Sequence, residues 1–129
     1  MLAPGTASGL ATILDEPLSL WGGFDPATGA LVDPHHPQQG ANLAARVVVM
    51  PAARGSSSSS SVLAEAVRAG TAPAAILLGE ADNILAIGAA VADELYGMRV
   101  PVLVVEPGDL GHIPDGATVT VDGDRVTIE

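Results

Sequence analysis

The apolar positions of the chain fall into short runs of strand length and longer segments of helical period. Residues 45–50, 74–78 and 100–105 are rich in Val, Ile, Leu and Ala, which is typical of buried strands. Residues 62–70 and 81–95 lie between these runs and show the spacing of helices. The resulting alternation of strand and helix predicts a parallel sheet with right-handed crossovers.

The two ends of the chain have a different character. Leu10–Leu14 predicts a short strand after a turn, and residues 17–40 are too rich in Gly, Pro and Asp to form a helix. A loop of that length in a small domain usually has a function. The tail alternates apolar and polar residues around Asp122-Gly123, which predicts a β-hairpin. We therefore expect one α/β domain over residues 1–129, with a parallel half and an antiparallel β layer.

The composition excludes several classes of protein. A net charge of −10 disfavours binding to nucleic acid or to an anionic membrane. The chain has no cysteine, which excludes disulfides and a thiolate-ligated metal or iron–sulfur cluster held by this chain alone. His35, His36 and His112 lack the spacing of a self-contained metal site. The N-terminus makes a poor signal peptide and no apolar run would span a bilayer, so we expect a cytoplasmic protein.

The most informative local motif is Arg54-Gly55-Ser56-Ser57, between a predicted strand and a predicted helix. The first turn of a helix has unpaired N–H groups and a partial positive charge, which suit a carboxylate or a phosphate. The glycine allows close approach to the backbone, and Arg54 adds a charged donor. The alternative is that the serines only cap the helix, and the local pattern by itself favours the cap.

The loop over residues 17–40 contributes the other candidates. Trp21, with Gly22 and Gly23, is interpreted as a plug over a barrel or as the wall of a pocket. Asp25 fits a turn-capping residue, and His36 fits a structural hydrogen-bonding residue better than a catalyst when each is taken alone.

Two longer strings carry a resemblance to a known family. PLSLWGGFDPATGALVDPHHPQQG, followed by RVVVMPAARGSSSSSSVLAEAVRAGTAPAAILL, resembles the aconitase X swivel domain. In that family a segment of the type PLSFWGG-D-TG-D-HP-G precedes a buried strand and a GRGS motif that opens a helix. Leu20 stands where the family often has Phe, and His36 matches the histidine of the HP motif. The N-terminus is shorter than expected, without the strand that usually precedes the segment beginning at Gly5.

The resemblance implies a swivelling β/β/α domain like the C-terminal domain of aconitase, acting as the small subunit of a dehydratase. It also implies a cysteine-containing large subunit that holds an iron–sulfur cluster or iron. The serine of the family's motif is the proposed proton acceptor, and that position falls on Ser56. Arg54, Gly55 and Ser57 would then contact the substrate, with Trp21, Gly22, Gly23, Asp25 and His36 as possible pocket residues.

These implications give a functional expectation with two alternatives. We expect the small subunit of a heteromeric hydro-lyase that dehydrates a small hydroxy acid, with cis-3-hydroxy-L-proline as the leading substrate. The alternative substrate is mevalonate 5-phosphate, and the alternative of another class is a non-catalytic swivel-type binding module.

Overall fold

The predicted alternation of strands and helices is present in the structure, a computed structural model that describes residues 2–53 and 58–129. The strands are β1 (Thr6–Ile13), β2 (Phe24–Asp25), β3 (Ala30–Leu31), β4 (Val47–Met50), β5 (Ala75–Leu78), β6 (Val102–Val104), β7 (Thr118–Asp122) and β8 (Arg125–Ile128). The helical segments are α1 (Leu20–Gly23), α2 (Ser59–Ala69), α3 (Asn83–Tyr96) and α4 (Pro107–Leu110).

One six-stranded sheet, ordered β6-β5-β4-β1-β7-β8, organises the described residues. β1, β4, β5 and β6 run parallel, whereas β7 pairs antiparallel with both β1 and β8. β1 joins the two parts, because Thr6–Leu10 pairs with β7 and Ala11–Ile13 pairs with β4. The expected combination of a parallel sheet with an antiparallel β layer is therefore confirmed.

Both faces of β4 and β5 are buried, which explains their uninterrupted apolar sequence. Successive side chains of a strand point to opposite faces. Val48 and Met50 accordingly share one core with Leu63 of α2 and Leu85 of α3. Val47 and Val49 share the second core with residues of β7 and of the segment before it, namely Ile113, Val119 and Val121. The sheet thus carries helices on one face and its own antiparallel part on the other.

The start of β1 corrects the sequence-based prediction. The apolar pattern predicted a strand over Leu10–Leu14, but β1 begins at Thr6. Residues 6–10 are small or partly polar and have a weak apolar signal, yet they form the ladder with β7. Strand pairing at this position depends on a partner far along the chain, which a local pattern does not record.

The other predicted elements are confirmed with small shifts of their ends. α2 ends at Gly70, whose φ of +79° gives a left-handed C-cap. The tail forms the β7–β8 hairpin, with Gly123 at φ +61° in its turn. The loop over residues 17–40 contains a short β2–β3 hairpin that its composition did not predict. Within the described ranges, none of the helices has the length and apolar character needed to cross a membrane.

Candidate functional site at the carboxyl edge of the sheet

A cavity of about 380 Å³ lies where β1, β4 and β5 end. Ligands of open α/β sheets usually bind outside the carboxyl ends of the strands. The walls of this cavity come from three strand ends and from the end of α4; they are Ile13, Leu14, Asp15, Val49, Met50, Pro51, Gly79, Glu80, Leu110 and Gly111. Two carboxylates, Asp15 and Glu80, give this mostly apolar cavity a negative character.

Asp15 is tied to the loop that follows β3. Its backbone N–H donates to Gln38 Oε1 at 3.2 Å, and Gln38 Nε2 donates to a carboxylate oxygen of Asp15 at 2.7 Å. This pair of hydrogen bonds fixes the loop across the end of β1, so the carboxylate has a defined position at the edge of the cavity.

The segment Leu18–Trp21 runs beside the chain that leaves β4. Leu18 forms a parallel bridge with Ala53, which connects the loop to the end of the β4 strand region. The backbone of α1 then departs from a helix, with Trp21 at φ −75°, ψ 115° and Gly22 at φ 82°, ψ −17°. These angles are those of a type II turn, which requires a positive φ at its second central residue and therefore favours glycine there. Trp21 is 59% exposed on this turn.

The first residue of α2 contacts the same turn. Ser59 is 3% exposed, and its Oγ accepts a hydrogen bond from the Trp21 N–H at 3.2 Å. Ser19 Oγ donates to the Trp21 carbonyl at 3.1 Å and lies 3.5 Å from Ser59 Oγ. The type II turn Leu20–Gly23, which we call the tryptophan turn, is thus held to the beginning of α2 by these hydrogen bonds.

The predicted catalytic and substrate-binding residues, Arg54, Gly55, Ser56 and Ser57, lie outside the described residues. Their roles therefore stay predictions. The described residues on either side of this segment, Ala53 and Ser59, both contact Leu18–Trp21. Described residues on both sides of the Arg54–Ser57 motif therefore lie beside the Leu18–Trp21 segment.

The structure gives Asp25 and His36 hydrogen bonds within their own loop. Asp25 accepts from the Ala27 N–H at 2.9 Å and from Thr28 Oγ1 at 3.2 Å, as expected for a turn-capping aspartate. His36 is 6% exposed. Its Nδ1 accepts from the Gln38 N–H at 3.1 Å, so its Nε2, 3.0 Å from the Glu16 carbonyl, carries the proton and donates.

Gly23 is the last of the predicted pocket residues. It is buried behind the tryptophan turn, and a Cβ at this position would lie 2.8 Å from Leu18 Cδ1. Trp21 and Gly22 thus form the exposed part of the turn, whereas Gly23 leads back into the core.

A charged pair on α2 lies away from the residues that line the cavity. On the outer face of α2, Arg68 hydrogen-bonds to Glu65 and thereby lowers the pKa of that carboxyl, while Glu65 raises the pKa of Arg68. Among residues 2–53 and 58–129, no group of three or more His, Cys, Asp and Glu side chains is arranged to hold a metal ion.

Comparison with known proteins agrees with this arrangement. The chain matches the aconitase X swivel domain over residues 1–129. It belongs to this family. A solved structure of aconitase X from Thermococcus kodakaraensis, in its holo form, superimposes with a TM-score of 0.85 at 32% identity, covering 99% of this chain and 93% of that one.

Curated relatives of this swivel domain include dehydratases of two kinds. The chain is 48% identical over 101 residues to cis-3-hydroxy-L-proline dehydratase of Pseudomonas aeruginosa, covering 78% of this chain and 17% of that protein. A second cis-3-hydroxy-L-proline dehydratase, from Hypocrea jecorina, is matched over 21% of its length, so the chain spans about a fifth of these two relatives. The phosphomevalonate dehydratase small subunit of Pyrococcus furiosus is 33% identical, covering 99% of this chain and 90% of that subunit.

Sequence reasoning missed three residues that shape the site. Ser19 and Ser59 hold the tryptophan turn, and Gln38 fixes Asp15. Ser59 stood in a run of identical residues, and nothing in the sequence distinguished it from its neighbours. Gln38 lies at the end of the family segment, two positions after His36, and this position in the segment was the only indication in the sequence that Gln38 contributes to the site.

Proposed function

We propose that this swivel domain is the small subunit of a heteromeric aconitase X-type hydro-lyase and is active only with a large subunit. The observation that carries the proposal is the family match over residues 1–129 combined with dehydratase relatives of both kinds. The complete enzyme removes water from a small hydroxy acid.

In this proposal Ser56 accepts the proton from the substrate carbon, and Arg54, Gly55 and Ser57 bind the substrate. A serine hydroxyl is a weak base and needs neighbouring positive charge to act as an alkoxide. The beginning of a helix supplies a partial charge of roughly +0.5, and the Arg54 guanidinium supplies a full charge. The contacts of Ala53 and Ser59 with Leu18–Trp21 support this proposal, because residues on both sides of the Arg54–Ser57 motif lie beside the other family motif.

The chain's own residues do not fit an iron–sulfur cluster, because it contains no cysteine and its described side chains form no metal-ligating group. We therefore assign the cluster or iron to a cysteine-containing large subunit. When bound there, it supplies a Lewis acid for the departing hydroxyl. The contribution of this chain is to bind and orient the substrate and to hold the base.

The leading substrate is cis-3-hydroxy-L-proline. It carries a positively charged ring ammonium as well as a carboxylate, whereas every charged group of mevalonate 5-phosphate is negative. A chain of net charge −10, with Asp15 and Glu80 lining the cavity, repels the more anionic substrate more strongly. Mevalonate 5-phosphate remains the second candidate because the chain covers 90% of the Pyrococcus furiosus small subunit, which fits a separate subunit of this size.

The test is co-expression with an aconitase X-type large subunit, followed by assay of both substrates. We expect the two chains to purify together and to dehydrate cis-3-hydroxy-L-proline. Ser56→Ala should lower kcat by about 10²- to 10⁴-fold while leaving assembly intact. Arg54→Ala should mainly raise KM. Ser61→Ala changes an exposed serine of the same run and serves as the matched control.

Two outcomes would count against the proposal. Near-normal turnover of the Ser56→Ala complex would remove Ser56 from the mechanism. If the chain binds no large subunit and the mixture dehydrates neither substrate, the non-catalytic swivel-type binding module replaces the enzyme.

A further inference from the structure

Ser59 is one of two polar residues that are buried in the described part of the chain, and the other is His36. A buried hydroxyl without partners is costly, so its hydrogen bonds indicate what it holds in place. Ser59 opens α2, and its Oγ accepts from the Trp21 N–H. The side chain is therefore directed at the tryptophan turn.

Each serine hydroxyl has only one proton to donate, which determines the direction of every hydrogen bond among Ser19, Trp21 and Ser59. Ser19 has a single hydroxyl proton, and it is donated to the Trp21 carbonyl. The contact of 3.5 Å between the two serine hydroxyls then has Ser59 as its donor. The three bonds form a closed ring, which runs from Ser59 to Ser19, from Ser19 to the Trp21 carbonyl, and from the Trp21 N–H back to Ser59. Along the chain from the Trp21 N–H through the two hydroxyls to the Trp21 carbonyl, the hydrogen bonds polarise and strengthen one another.

The ring fixes both backbone polar groups of a residue whose side chain is 59% exposed. It also connects the start of α2 to the segment that pairs with Ala53 through Leu18. Ala53 and Ser59, which lie on either side of the motif that contains the proposed base, therefore both contact the same four residues, Leu18–Trp21.

We propose that Ser59 is a positioning residue, which together with Ser19 latches the tryptophan turn to the start of α2 and so holds the proposed base Ser56 in register with the substrate. This inference rests on the proposed function for its catalytic consequence. The latch itself is a property of this chain alone.

The catalytic test uses the complex with the large subunit and the variants Ser59→Ala, Ser59→Thr and Ser19→Ala. A displacement of about 1 Å of a reacting group can cost about 100-fold in rate, so we expect Ser59→Ala to lower kcat by about 10- to 100-fold. KM should change by less than about twofold, since the substrate-binding groups remain. Ser59→Thr keeps the hydroxyl and should restore most of kcat, and Ser61→Ala should resemble the wild type.

A double-mutant cycle separates a ring from two independent contacts. Opening the ring at either serine removes the same constraint, so Ser19→Ala combined with Ser59→Ala should lower kcat no further than the worse single variant. If the two reductions in kcat multiply instead, the two serines act independently and the closed ring is contradicted. Ser19 is half-buried, so Ser19→Ala tests the latch even if Ser59→Ala fails to fold.

A second measurement needs neither substrate nor partner. Trp21 is the only tryptophan, so the tryptophan fluorescence of the isolated chain, excited where Tyr96 does not absorb, reports on this turn alone. We expect the nanosecond component of its anisotropy decay to grow in Ser59→Ala and Ser19→Ala but not in Ser61→Ala. Unchanged anisotropy in both variants would overturn the latch. If instead the wild-type complex lacks dehydratase activity, the proposed function fails while the fluorescence result still decides the latch.

Discussion

Gly88 offers a sharp test of how α2 and α3 pack. It is buried in α3, where a Cβ would lie 2.8 Å from the Ser60 carbonyl oxygen and 3.0 Å from the Ser60 Cα. In an isolated helix, replacing glycine by alanine stabilises by about 1 kcal/mol. Here the added methyl meets backbone atoms of the facing helix, which cannot move aside by changing a rotamer.

The distances decide which effect is larger. A contact at 2.8 Å is about 0.7 Å shorter than the closest favourable separation of about 3.5 Å, so one helix must move. Overpacking of this kind costs about 1–3 kcal/mol. After the propensity gain is subtracted, we expect Gly88→Ala to lower the free energy of unfolding by about 1 kcal/mol, equivalent to a fall in Tm of about 3 °C for a chain of this length.

The assay is urea unfolding followed by circular dichroism. Ala90→Gly is the matched control, because Ala90 is exposed on the same helix and reports the propensity effect without the contact. That variant should lose about 1 kcal/mol. A higher urea midpoint for Gly88→Ala than for the wild type would refute the reasoning, since it would mean that α2 and α3 are separated widely enough to accept a methyl group.

Three further predictions concern the loop and the surface of α2. Gly22→Ala should destabilise the folded chain by about 1–2 kcal/mol, measured as a fall in Tm. Nothing lies within 4 Å of the added Cβ, but a residue with a side chain is strained at a φ of +82°. A rise in Tm would contradict the type II turn. His36→Ala should lower the free energy of unfolding, measured by chemical denaturation, by about 1–3 kcal/mol, because the Glu16 carbonyl and the Gln38 N–H lose their partner. His35→Ala, at an exposed position, should be nearly neutral. Equal losses of stability in the two variants would contradict the structural role of His36. The Glu65 pKa is lowered in the folded state, so the stabilisation from its pair with Arg68 is present above the ordinary value of 4.5 and is lost as pH falls through the folded pKa. The Tm difference between wild type and Glu65→Gln should therefore shrink on acidification, and a difference that grows would have the wrong sign.

The position of the tryptophan turn beside the start of α2 bears on how the complete enzyme would work. A swivel domain can contribute to a reaction at another subunit only if its reactive groups lie on the surface that faces the partner. Trp21 is exposed beside the beginning of α2, and the cavity opens at the same edge of the sheet. In the proposed enzyme, this edge is where the large subunit and the substrate would meet the small subunit.

The sequence by itself determined the elements whose signals are local. The apolar runs and the helical spacing predicted β4, α2, β5, α3 and β6 in order, because burial on both faces of a strand or one face of a helix leaves a pattern in adjacent residues. The β7–β8 hairpin was predicted for a similar reason, since Gly123 satisfies a turn that few residues accept.

Tertiary structure alone decided which residues meet. Trp21 and Ser59 are separated by 38 positions, and no local period connects them. The sequence presents six identical serines from Ser56 to Ser61, which differ in nothing but their order. Among the four of these serines that the structure describes, Ser58–Ser61, Ser59 is the buried one. The first turn of α2 places it against Leu18–Trp21, and only the packing of the folded chain makes that face different from the others.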